Sequence, residues 1–362
     1  MLETITSDLD AGRRLSPEQA LWLYESAPSD WLRQRADAER RRRHGDAAFY
    51  NRNIHFEPTN KCVYACKFCA FARKPGATEA EGAWDYGFDE LARRLDAYPV
   101  GALTEIHITG GVHPERGVDF GEALVGFIRQ RRPELHIKAF TAVEITWMAK
   151  VSGVSVEDAL RRLQGAGLGS LPGGGAEIFD DSVRRKIAGG KAPANRWLEV
   201  HGTGHRIGLR SNATMLYGHI ESFAHRVDHM KQLRDLQDKT RGFMAFIPLR
   251  FRNENNRMSD MPEVDLEQDL RNYSVARLFL DNIPHLKAYW VMLGVDKAFE
   301  ALQWGVDDLD GTVDDSTKIY SMAGSMQNPT LTSGFLRDEI SRRGRSPVER
   351  DSLYRPFAGT AS

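Results

Sequence analysis

From residue 53 onward the chain alternates short apolar runs with longer amphipathic ones. The runs N-I-H-F, T-E-I-H-I-T-G-G, L-H-I-K-A-F-T, G-L-G-S-L-P-G-G-G-A-E, L-R-S-N-A-T-M-L-Y-G, F-M-A-F-I-P-L, L-K-A-Y-W-V-M and G-V-D-D-L-D-G read as eight strands. Between them, segments such as F-D-E-L-A-R-R-L-D-A-Y, E-A-L-V-G-F-I-R-Q-R, V-E-D-A-L-R-R-L and R-W-L-E-V-H-G-T-G-H-R carry apolar residues at helical spacing. Strand then helix, repeated, predicts a parallel sheet of α/β class. Eight such units close into a (β/α)8 TIM-type barrel, whose site forms from the strand ends and the loops that follow them.

Polar residues sharpen this picture. In T-E-I-H-I-T the side chains of Glu105, His107 and Thr109 share one face while Ile106 and Ile108 share the other. L-H-I-K-A-F repeats the pattern with His136 and Lys138, and R-S-N-A-T repeats it with Arg210, Asn212 and Thr214. The apolar faces are expected to meet helices and the polar faces a lumen holding a polar ligand. Residues 1–50 read as an N-terminal helical segment, with Ser16 and Pro17 as cap and first turn and a second helix from Ser29. The run Arg40 to Arg43 suits a helix C-terminus. Residues 51–325 form the expected barrel, and 326–362 a C-terminal helix and extended tail packed outside it.

Composition narrows the partners. A formal net charge of -1 with 27% charged residues gives no polyanion signal, so nucleic acid is not expected. The opening M-L-E-T-I-T-S-D-L-D has no basic stretch leading into an apolar run, and no segment approaches the ~18 apolar residues of a membrane span. A cytoplasmic protein without a membrane partner is expected. Its 3 cysteines all fall in C-V-Y-A-C-K-F-C, as Cys62, Cys66 and Cys69.

Three thiols in one tight loop call for a metal, and thiolates favour iron-sulfur clusters or zinc. A four-iron cubane held by three cysteines keeps one iron open for a ligand. The alternative is a non-catalytic zinc module with His55 or His44 as fourth ligand, but structural zinc usually draws on two separated ligand pairs.

The spacing Cys-x3-Cys-x2-Cys, with Phe68 before the last cysteine, resembles the signature of the radical S-adenosylmethionine (SAM) enzymes. That resemblance implies a [4Fe-4S] cluster on Cys62, Cys66 and Cys69, with SAM on the open iron. It also implies SAM contacts at Phe68, at Gly110 and Gly111, at Glu177 beside the ribose, and at Leu216 along the adenine. Gly110 and Gly111 are read as places where a side chain would block a ligand's approach to the backbone. Thr214 stands where the family's adenine strand begins with glycine. Some members of the family have an incomplete barrel of six strands.

The stretches P-T-N-K-C-V-Y-A-C-K-F-C-A-F, H-I-K-A-F-T-A-V-E-I, S-L-P-G-G-G-A-E-I-F, H-L-K-A-Y-W-V-M-L-G and D-D-L-D-G-T-V carry a closer resemblance, from about residue 50 to 354. They are similar to the branch of that family that works in the futalosine route to menaquinone. This implies a transferase that adds the adenosyl radical to 3-[(1-carboxyvinyl)oxy]benzoate, the enolpyruvyl ether of 3-hydroxybenzoate. It further implies an electron donor such as flavodoxin or ferredoxin. A hydrogen-abstracting cyclase of the same route is the nearest rival. Two substrate carboxylates want cationic or imidazole donors, and His107, Lys138, Arg210 and His285 are the candidates. Asn212, Glu144 and Tyr289 are weaker ones.

Overall fold

The computed structural model describes residues 1–314, 319–324 and 329–357. Ten strands follow in chain order: β1 Ala47–Asn51, β2 Asn53–Phe56, β3 Glu105–Ile108, β4 His136–Ala139, β5 Ser170–Leu171, β6 Arg210–Tyr217, β7 Phe243–Arg250, β8 His285–Leu286, β9 Asp308–Gly311 and β10 Ser346–Glu349. Seven of the eight runs read as strands from the sequence contain a strand, β2 to β7 and β9; the run L-K-A-Y-W-V-M shares only Leu286 with β8, and its end from Trp290 is helical, in the helix Trp290–Leu293. β2 to β8 form one sheet in sequence order, every neighbouring pair parallel. The alternation holds: Ile106, Ile108 and Ile137 are fully buried against the helices, packed with Leu124, Val125, Ile128 and Leu163. Each such side chain removed from water contributes roughly 1.5–3 kcal/mol.

The eighth strand departs from the expected continuous ladder. β9 belongs to a second sheet of order β10-β1-β9, and a single bridge between Lys287 and Asp308 ties it to the β8 side. On its other side Thr312 bonds Asn53 through its hydroxyl, which accepts from the Asn53 N–H at 3.0 Å and donates to the Asn53 carbonyl at 3.0 Å. Val313 N–H donates to Asn53 Oδ1 at 2.9 Å. The ring is thus closed by these side-chain bonds together with two backbone bonds, Thr312 N–H to the Asn51 carbonyl at 3.1 Å and His55 N–H to the Asp314 carbonyl at 3.4 Å. Sequence reading did not anticipate β1 and β10, and β1 makes the last residues of the N-terminal segment strand rather than helix.

The N-terminal helices Leu2–Asp10, Pro17–Ser26 and Ser29–His44 lie on the outside of the barrel. Ser16 caps the second: its hydroxyl accepts from Gln19 N–H at 3.2 Å and its own N–H donates to the Gln19 side chain at 2.8 Å. Tyr24 donates to Asn272 at 2.7 Å, and Arg271 holds the Ala27 carbonyl at 2.8 Å, fixing these helices on Leu266–Phe279. The arginine run is consumed locally, Arg41 by Asp37 and Asp46, Arg42 and Arg43 by Glu39. Arg40 is buried and donates to the Gly45 carbonyl at 3.1 Å, so its role is structural. The C-terminal helix Ser333–Arg342 leads into β10, which pairs with β1. No helix among the described residues is long and apolar enough to cross a membrane.

Candidate active site

The loop after β2 carries the three cysteines and is closed at its root. Buried Asn60 donates to the Gly82 carbonyl and accepts from Trp84 N–H, both at 2.8 Å. Its own carbonyl accepts from Arg73 N–H at 2.8 Å, and Cys62 N–H donates back to the Arg73 carbonyl at 2.8 Å. The Arg73 guanidinium donates to the carbonyls of Ala70, Phe71 and Ala72 at 3.0, 3.3 and 3.1 Å, so the turn after Cys69 cannot open without orphaning them. Backbone N–H groups of Tyr64 and Ala72 donate to the sulfurs of Cys62 and Cys69, each at 3.4 Å.

Gly110 and Gly111 follow β3 and press against that root. A Cβ on Gly111 would lie 2.3 Å from the Lys61 carbonyl oxygen and 2.7 Å from the Asn60 carbonyl carbon; one on Gly110 would lie 2.9 Å from the Thr59 oxygen. The primary reason for glycine here is therefore the neighbouring cysteine loop, which corrects the expectation that the pair merely clears space for a ligand.

After β5, buried Arg184 gathers the carbonyls of Gly175, Ala176 and Ala192, at 2.9, 2.5 and 2.5 Å. This places Glu177 and Lys191 together as an ion pair, and Glu177 adopts a left-handed backbone with φ 48. Such a conformation is costly for a residue with a Cβ and marks a position held by its surroundings. The Glu177 carbonyl accepts from Leu216 N–H at 2.8 Å, and the Thr214 hydroxyl donates to the Gly173 carbonyl at 2.6 Å. The threonine that departs from the family pattern thus pins the glycine-rich turn. Lys191 also sits over the Phe68 ring, 5.7 Å from its centroid.

These pieces line one cavity of about 340 Å³. Cys62, Cys66, Cys69, Phe68, Gly110, Gly111, Glu177, Leu216, His107 and Lys138 all border it, as do Asn212, Thr214 and Tyr289. Inside the barrel, Lys138 pairs with Glu105 at 2.6 Å and Lys287 with Asp310 at 2.8 Å, all four buried. Burial lowers the Lys138 ammonium from its ordinary value while Glu105 opposes that fall. Against its burial, Lys287 and Lys138 hold the Asp310 carboxyl down at about 2. The His55 and His107 rings meet edge to face, centroids 4.5 Å apart, and burial keeps both neutral with pKa values below the ordinary one. His107 Nε2 and Asn212 Oδ1 are buried and have no hydrogen-bond partner among the described residues.

Two sequence candidates are not in this cavity. Arg210, the first residue of β6, is exposed and donates to the Arg241 carbonyl; it borders a different depression. His285 borders the same depression and bonds Asp307 through Nδ1 at 2.6 Å. Alternation gave their face correctly but not their height: at about 3.3 Å per residue, four positions separate Arg210 from Thr214 by about 13 Å. Sequence reading also missed Lys191, Lys287 and Asp310. Lys287 shares strand parity with Tyr289, which was a usable signal, whereas Lys191 sits in an aperiodic G-G-K-A-P loop that offers none.

The donor set fits an iron-sulfur cluster better than zinc. Among the described residues, His44, His285 and Asp307 are the one group of His, Cys, Asp and Glu whose candidate ligand atoms all lie within 4.8 Å of one another. Neither His44 nor His55 borders the cysteine cavity, which removes both suggested fourth ligands. Asp307 is in turn occupied by Arg277 and the Leu286 N–H. Burial pushes all three thiols up from their ordinary value, so a metal centre, rather than proton loss alone, would hold them as thiolates at neutral pH.

Comparison with known proteins agrees with this geometry. Residues 56–233 match the model of the radical SAM superfamily, and residues 240–360 match the CofH/MqnC C-terminal region. The aminodeoxyfutalosine synthase of Thermus thermophilus is 44% identical over 348 residues, 95% of this chain and 92% of that protein. The cyclic dehypoxanthine futalosine synthase of Streptomyces coelicolor is 38% identical, over 98% of this chain and 88% of that protein. The crystal structure of a methylornithine synthase superposes with a TM-score of 0.72 at 13% identity, over 95% of this chain and 97% of that one, a likeness of fold.

Proposed function

The chain belongs to the radical SAM superfamily, and from that premise we propose that it acts as an aminodeoxyfutalosine synthase. It would convert SAM, water and 3-[(1-carboxyvinyl)oxy]benzoate into 6-amino-6-deoxyfutalosine, methionine, bicarbonate and a proton. The observation that carries this reading is one cavity bordered both by the three thiols and by buried lysines, in a chain 44% identical to such an enzyme along nearly its whole length.

Cys62, Cys66 and Cys69 would hold a [4Fe-4S] cluster, which when bound supplies the electron that cleaves SAM into methionine and a 5′-deoxyadenosyl radical. The chain's own residues then divide the remaining tasks. Gly110, Gly111 and Phe68 shape the wall beside the cysteine loop, where the methionine end of SAM would lie. Glu177 offers a carboxylate to the ribose hydroxyls, and its left-handed backbone fixes the direction in which it points. Leu216 gives the adenine an apolar edge. Lys138 and Lys287 receive the substrate carboxylates: an ammonium has three donors, and the close carboxylate partner of each lysine takes one. His107 and Asn212 add unpartnered polar atoms to the same space. Ile247 and Met292 supply apolar surface for the aromatic ring and help exclude water from the radical.

The test is product analysis. Reduced, anaerobically reconstituted protein is incubated with SAM and the enolpyruvyl ether, and the nucleoside is identified by mass spectrometry. Retention of the adenosyl group in a product that has lost one carboxyl is expected. Release of 5′-deoxyadenosine with conversion of dehypoxanthine futalosine instead would assign the cyclase reaction.

A further inference from the structure

The cysteine loop reaches the surface at one place. Ala65 and Lys67, on either side of Cys66, are exposed, and three chain segments converge there. Lys67 N–H donates to the Ile187 carbonyl at 2.7 Å, and Arg257 N–H donates to the Lys67 carbonyl at 2.8 Å. The Arg257 guanidinium holds the Ala65 carbonyl. Arg185 and Lys186, exposed, stand in the last turn of the helix Asp181–Ala188, just before Ile187.

Four exposed cations therefore stand on the segments that meet beside Cys66: Lys67, Arg185, Lys186 and Arg257. Among the described residues none of them forms an ion pair, although acidic Asp181 and Asp260 stand close in sequence. Elsewhere on this chain of net charge -1, exposed arginines such as Arg41, Arg42 and Arg93 are paired with carboxylates. A cation at a helix C-terminus is favoured by the macrodipole, which accounts for Arg185 and Lys186. Lys67 and Arg257 lie outside any helix and have no such reason.

On the reading of Cys62, Cys66 and Cys69 as cluster ligands, we propose that this basic face is the docking surface for an acidic one-electron carrier protein. Electron transfer slows steeply with distance, so a carrier would approach where the ligand loop itself is exposed, at Ala65 and Lys67 on either side of Cys66. The carrier loses one electron and the oxidised cluster gains it; no bond forms or breaks in that step. Unpaired cations raise the encounter rate of an acidic partner, an effect that salt screens over a Debye length of about 10 Å at 0.1 M.

The experiment uses the reconstituted holoenzyme and a Lys67→Glu/Lys186→Glu variant, with Lys239→Glu, an exposed unpaired lysine at the end of the helix Phe223–Thr240, as control. Each is assayed for SAM cleavage with dithionite, and separately with an acidic flavodoxin and an acidic ferredoxin over a range of salt. The expected result is wild-type iron content and dithionite-driven rate in all three. The carrier concentration for half-maximal rate should rise roughly ten-fold or more in the double variant only, with loss of its salt dependence. An unchanged carrier requirement in the double variant overturns the proposal, as does a wild-type enzyme that dithionite drives and neither carrier does. Absence of cluster and of dithionite-driven cleavage in the wild type would instead refute the cluster assignment itself.

Discussion

Replacing Gly111 by alanine tests whether the glycine pair serves the cysteine loop. The added methyl would meet the Lys61 carbonyl oxygen at 2.3 Å, and ordinary contact begins at 3.4 Å, so backbone must retreat by about 1 Å. The atoms in the way are main chain, pinned through Asn60 and Arg73, and cannot swing aside as a side-chain end would. Overpacking of this kind costs typically 1–3 kcal/mol, which in a chain of this size lowers the melting temperature by only a few degrees. The larger effect is on position: a displacement of about 1 Å can cost about 10²-fold in rate. Gly126→Ala is the control, since a Cβ there meets nothing within 4 Å and the site lies inside the helix Val118–Arg131. It should be neutral or slightly stabilising, by up to about 1 kcal/mol. The assay compares iron and sulfide per chain after anaerobic reconstitution, melting temperature and product rate. Gly111→Ala with full cluster content and a rate within two-fold of wild type would refute the reasoning.

Further outcomes are expected elsewhere. Lys138→Met leaves Glu105 buried without its partner and should destabilise by about 3–5 kcal/mol; adding Glu105→Gln should restore the fold while the KM for the enolpyruvyl ether stays raised at least ten-fold, which equilibrium unfolding and steady-state kinetics separate. Cys66→Ser should abolish the visible absorbance of the reconstituted protein and SAM cleavage with little change in far-UV circular dichroism, and retention of both would remove Cys66 from the ligand set. Stability should fall as pH drops from about 6.5 to 4. Burial lowers the pKa of His55, His136 and His205 to about 4 and of His229 to about 3, so in this window the unfolded chain binds protons that the folded chain refuses. Each such histidine adds up to about 1.4 kcal/mol per pH unit to the slope, and urea midpoints flat across this window would contradict the buried neutral assignments.

Much of the architecture was legible because two periodicities do not depend on distant contacts. Ile106 and Ile108 announced the outer face of β3, and Glu105 and His107 its lumen face, from alternation alone. The cysteine spacing and the glycine pair were equally local. What alternation lacks is a vertical coordinate, so Arg210 and His285 were grouped with Lys138 although they border another depression. Lys191 reaches Glu177 only because Arg184 folds one loop onto another, a contact between aperiodic segments. β10 contains Pro347 and pairs with a strand near the other end of the sequence, and no short-range pattern reports such a partner.

The seam in which Ala47 lies opposite Ser346 sets a timetable for biogenesis. Residues 47–51 emerge early from the ribosome and then wait, both edges unsatisfied, until their partners far along the chain have been made. The neighbour on the other edge, Asp308–Gly311, arrives almost as late as residues 346–349. The barrel's last gap therefore cannot be sealed before Asp308–Gly311 and the residues just after it have been made. Metal loading and ring closure thus become separable events, with the cysteine loop made long before the wall behind it is finished.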